Sequence, residues 1–110
     1  MEITLFYVPC PTQENALALV SELLESKLVA CGNVHQSDSL YQWNGVMNSE
    51  MEWVAIMKTL PALAGQTEAK ILDLHPYDTP AVLHWQVACN ATYHEWVTQQ
   101  LIIVPLSGTH

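Results

Sequence analysis

The sequence predicts an α+β fold, a ferredoxin-like βαββαβ sandwich with a short extra C-terminal helix, on three observations. Segments of strand and helix character follow in the order β-α-β-β-α-β, with one further helical stretch behind them. Asn44-Gly45 stands between Trp43 and Val46. Asn-Gly is a strong hairpin signal, because a type I′ turn needs positive φ at both central positions. At 110 residues the chain is one domain by length. We assign that domain to residues 1–104 and read 105–110 as a C-terminal tail.

Each element has its own warrant. Residues 2–8, EITLFYV, are rich in β-branched and aromatic types and read as a strand. Thr12 reads as a helix cap, although Asn15 stands where a capping box would carry Glu. Ala16, Leu17, Val20, Leu23, Leu24 and Leu28 then trace one apolar helix face. The second strand opens at Val29 as VACGNV and continues less clearly through HQSDSLYQW. After the Asn-Gly turn, Met51, Trp53, Ala55 and Met57 alternate with Glu52, Val54, Ile56 and Lys58. The inner half of that strand is apolar on both sides, as expected of a central strand.

Pro61 is suited to the first position of a second helix, whose apolar side is Leu60, Leu63, Ala64, Ile71 and Leu72. HPYDTP, residues 75–80, bridges to a fourth strand, AVLHWQVA. Its two prolines fix φ and bias His75 and Thr79 toward extended backbone. Thr92 with Glu95 reads as a capping box for the last helix, and LIIV at 101–104 as a short final strand.

Composition excludes some functions. There are three lysines, no arginine and eleven carboxylates, for a net charge of -8. Such a chain repels phosphate backbones, so nucleic acid is not a partner. No apolar run is long enough to span a bilayer, and no basic leader opens the chain. Three cysteines without a CxxC pair argue for a reducing compartment, and we expect a cytoplasmic protein. No nucleophile elbow, P-loop or GxGxxG is present, and we expect no enzyme activity. His84 reads as a core or interface histidine, and His94 as solvated. Six aromatic residues, Tyr41, Trp43, Trp53, Tyr77, Trp85 and Trp96, look too dispersed for a cofactor box and read as packing. A long hairpin on a small sheet leaves edges that a neighbouring subunit would cover.

An ordered set of motifs gives the chain a family resemblance. KLVACGNV at 27–34, SLYQWNG at 39–45, Glu52 before MKT at 57–59, HPYDTP at 75–80, and Tyr93 with Trp96 resemble the CutA family. The resemblance spans about residues 3 to 101. It implies a ferredoxin-like subunit, a homotrimer like the PII signalling proteins, and a role in tolerance of copper and other divalent cations.

The chain departs from the family pattern at several places. Ala81 follows the second proline where the family has Glu, Leu74 precedes His75 where a second His is usual, and Val8 replaces a cysteine. Asn90 stands near the position of a glycine before the last helix, as the residue best able to adopt left-handed backbone. By this reading His75, with Cys10 as companion, is the candidate copper or divalent-cation ligand, since imidazole and thiolate suit such metals. Tyr77, Lys58 and Trp43 are the candidate lining of a ligand cleft. Two alternatives remain beside the metal reading: a trimer that senses a small ligand or nucleotide, and a purely structural trimer.

Overall fold

The structure, a computed structural model, describes residues 1–102. The elements are β1 (Glu2–Cys10), α1 (Gln13–Glu25), β2 (Cys31–Trp43), β3 (Val46–Thr59), α2 (Ala64–Leu74), β4 (Leu83–Ala88) and α3 (Ala91–Gln100). A 3-10 turn at Pro61–Leu63 leads into α2, with Pro61 opening it as expected. The four strands form one antiparallel sheet in the order β2-β3-β1-β4. The strand that is apolar on both sides, β3, is therefore an interior strand, as its pattern demands.

Register sorts the side chains. Phe6 pairs with Met57 and Val8 with Ala55, on the face under α1 and α2. These four residues join Ala16, Leu19, Val20, Leu23 and Ile71 in the main core. Among the described residues the opposite face is covered at one end, where Val97 and Tyr93 of α3 meet Ile3, Leu5 and Val87.

β2 approaches α1 at Gly32. A Cβ there would lie 2.6 Å from a Val20 methyl, so the position takes only glycine without a shift. Asn44 and Gly45 both have positive φ, 53° and 77°, as the type I′ turn requires.

Several sequence expectations need correction. The buried stripe of α1 is Ala16, Leu19, Val20 and Leu23, while Leu17 and Leu24 face solvent. The apolar arc of the helix is wider than the sheet can cover, and the sheet meets the side of it that carries Leu19. β2 begins at Cys31, because Val29 and Ala30 are buried in the connection that follows Lys27. Leu72 is exposed, and Thr67 takes the core-facing position of α2 instead. The last helix starts two residues earlier than the expected Thr92 cap, with Asn90 as its N-cap. Thr92 then lies inside the helix, accepting a hydrogen bond from the Asn90 amide, and no capping box forms. Asn90 has φ -70°, an ordinary conformation, so left-handed freedom is not what the site needs. Leu101 and Ile102 are not a strand: Leu101 is buried beside Val97, and the Ile102 N–H donates to the Lys27 carbonyl. The rest of LIIV and the tail lie outside the described residues.

Candidate functional site

Two neighbouring regions gather the sequence-predicted residues. The first is the corner where α2 runs into HPYDTP. His75 is buried there, and both ring nitrogens are engaged. The backbone N–H of Tyr77 donates to Nδ1 at 3.1 Å, and Nε2 lies 2.8 Å from the Pro9 carbonyl. A carbonyl only accepts, so Nε2 carries the proton. The imidazole thus pins the end of α2 to the end of β1, with the Tyr77 ring packed against it at 4.8 Å.

Cys10 lines a small cavity of about 120 Å³ together with His75, Pro76 and residues of α1. Its thiol donates weakly to the Val8 carbonyl at 3.7 Å. Burial first, and the nearby Glu52 carboxylate second, push its pKa up to about 11. A neutral imidazole with both nitrogens occupied offers no lone pair, and a protonated thiol is a poor ligand. Among the described residues no group of three or more His, Cys, Asp or Glu side chains is placed to hold a metal. As built, His75 and Cys10 do not fit a copper or zinc site.

The second region is an open cleft of about 440 Å³ lined by Tyr41, Trp43, Glu50, Tyr77, Asp78 and Thr79. It lies between the hairpin arm and the 77–79 segment. The Tyr77 hydroxyl donates to Glu52 at 2.8 Å, and the Tyr41 hydroxyl donates to Glu50. Both phenols are held above their ordinary pKa: Tyr77 mainly by desolvation, Tyr41 mainly by its bond to the carboxylate.

Of the three cleft residues expected from the sequence, the structure brings Tyr77 and Trp43 together. Lys58 is elsewhere. It pairs with Cys31 at the far end of the hairpin and donates to Cys31 and Asn33. Trp43 is twelve residues further along the same strand as Cys31, roughly 40 Å away at strand spacing. The aromatic set expected to be mere packing is divided too. Tyr41, Trp43 and Tyr77 converge on the cleft, Trp53 packs on the main core, and Trp96 stacks on Tyr93.

His84 is not a core histidine. It faces α2, lies against Phe6, and makes a part-exposed contact of 2.9 Å with Glu68. His94 is partly buried in α3.

Sequence reasoning missed Glu50 and Glu52 as partners of the phenols. The register held the signal. With the turn at 44–45, Tyr41 pairs with Asn48 and Ser39 with Glu50, which sets Tyr41 and Glu50 diagonally across one face.

Fold and site together define a ferredoxin-like α+β domain with an aromatic, carboxylate-edged cleft beside its hairpin. The family model described as CutA1 divalent ion tolerance protein matches residues 4–100. A divalent-cation tolerance protein CutA of Thermotoga maritima is 34% identical over 99 residues, covering 89% of this chain and 98% of its own. One from Pyrococcus horikoshii is 34% identical over 95 residues, covering 86% and 93%. The crystal structure of the divalent ion tolerance protein CutA1 of Ehrlichia chaffeensis superposes with a TM-score of 0.88 at 34% identity, covering 92% of this chain and 96% of that one. The chain belongs to the CutA1 divalent ion tolerance family.

Proposed function

We propose that the chain works as a homotrimeric, non-enzymatic binding module in divalent-cation tolerance. One observation carries the assembly: the sheet face away from α1 and α2 is apolar and largely bare. On that face Leu83 and Trp85 of β4 are 55% and 45% exposed, and Val46 near the hairpin turn is exposed as well; Met47 and Met51 add exposed apolar surface on the other side of the arm. A surface of this kind marks an interface. The edge strands β2 and β4 offer backbone groups for pairing with neighbouring chains. The number three comes from the family resemblance. The relatives' names supply the cation-tolerance role, and the three free thiols support a reducing, cytoplasmic setting.

Within this reading His75 is a structural clamp. Metal binding there would replace one of its two hydrogen bonds, and at Cys10 it would first remove a proton held to about pH 11. Placing a carboxylate on the bare face tests the assembly. Trp85→Asp should lower the mass seen by light scattering on a sizing column while helical circular dichroism is retained; an unchanged mass counts against this interface. Copper(II) titration of wild type and His75→Ala tests the clamp. Equal affinity agrees with it, and a loss in the variant makes His75 a ligand.

A further inference from the structure

We propose that the cleft between the hairpin arm and residues 77–79 is a binding site for a small organic cation, an alkylammonium or quaternary ammonium ion. Three aromatic residues, Tyr41, Trp43 and Tyr77, line it together with the carboxylates of Glu50 and Asp78. No lining residue is basic. The carboxylates of Glu50 and Glu52 are fixed by the phenols through one oxygen each, Oε1 and Oε2, which leaves the other oxygen of each free of those bonds. The site therefore combines aromatic faces with negative charge beside them. That is the chemistry that recognises an ammonium group with an apolar coat.

Other ligand classes fit less well. An anion would meet carboxylates in a chain of net charge -8. A divalent metal needs several converging ligands, and the described residues hold no such group. A neutral apolar molecule would leave the carboxylates without a role. At about 440 Å³ the cleft is large enough for a small organic molecule, part of it open to solvent.

The lining residues all belong to one chain, and the inference does not depend on the metal-tolerance reading; because the cleft lies on the arm, the measurements are made on the assembled protein. The probes are choline and its uncharged isostere 3,3-dimethyl-1-butanol, followed by calorimetry and by the Trp43 indole N–H signal in 15N spectra. Choline should bind saturably and shift that signal, and the alcohol should not. Trp43→Leu should weaken choline binding roughly tenfold, while Trp43→Phe keeps most of it. Glu50→Gln should weaken binding several-fold and carries the test if Trp43→Leu alters the assembly. Light scattering on each variant separates a lost ligand from a lost oligomer. Equal binding of the alcohol, wild-type affinity in both Trp43→Leu and Glu50→Gln, or no saturable choline binding would each overturn the proposal. So would displacement of choline by an equal concentration of magnesium, which would show that charge alone holds it.

Discussion

Gly32 and Lys27 show how single residues set the joints of this domain. At Gly32 the sheet and α1 touch, and the nearest atoms belong to Val20, a β-branched side chain with few rotamers. Gly32→Ala should therefore destabilise the fold by about 1–3 kcal/mol, measured as a lower urea midpoint at unchanged slope. An unchanged midpoint would mean that α1 moves aside freely. Lys27, at φ 60°, holds the left-handed position that closes α1, with the Leu28 N–H bonding back to the Leu23 carbonyl.

Cys10 is a second residue-scale case. Its folded-state pKa, about 11, lies above the 9.0 of a free thiol. The folded state thus keeps the proton longer than the unfolded one. The contribution is fully present below pH 9 and is lost as pH rises toward about 11. Native-state alkylation should follow the same order, with Cys10 reacting after the part-exposed Cys31 and Cys89 at pH 8. Fast modification of Cys10, read by peptide mass spectrometry, would place its thiol in contact with solvent.

Among the elements, the hairpin has the least support from its own chain. β1 pairs with β3 only from Trp53 to Thr59, so residues 46–52 and their partners on β2 extend beyond the sheet. That two-stranded arm is about seven residues, roughly 20 Å, long. It accounts for much of the molecule's 55 Å long axis. Isolated two-stranded ribbons are marginal in water. Amides of the arm should be protected from hydrogen exchange in wild type and should exchange freely in Trp85→Asp if that variant is monomeric. Fast exchange in wild type would mean that nothing covers the arm.

The elements also show what the sequence makes legible. Asn44-Gly45 located the hairpin; its register also encodes Tyr41 beside Glu50, a pairing that the sequence reading passed over. Periodicity located α1 and α2 but mistook which leucines face the sheet, because the apolar arc of α1 is wider than the stripe the sheet buries, and packing selects Leu19 and Leu23 over Leu17 and Leu24. The approach of Tyr77 to Trp43 was not readable. It depends on how the HPYDTP segment crosses the end of β1, which no local pattern encodes. Lys58 joined the expected cleft as one of the few cations near the motifs, and strand length carries it to the other end of the hairpin.

At the scale of the whole molecule, the surface is divided. Among the described residues the helix face is closed over a continuous core, while much of the opposite face and the arm are bare and carry exposed apolar side chains. A chain with few charged groups, 13%, has little else to keep such a face in water. In the proposed assembly three copies close this surface. Sedimentation equilibrium of the wild-type chain tests it directly. A trimer gives one species of about 37 kDa, three times the 12.3 kDa chain, unchanged on dilution. A single species at 12.3 kDa would contradict it.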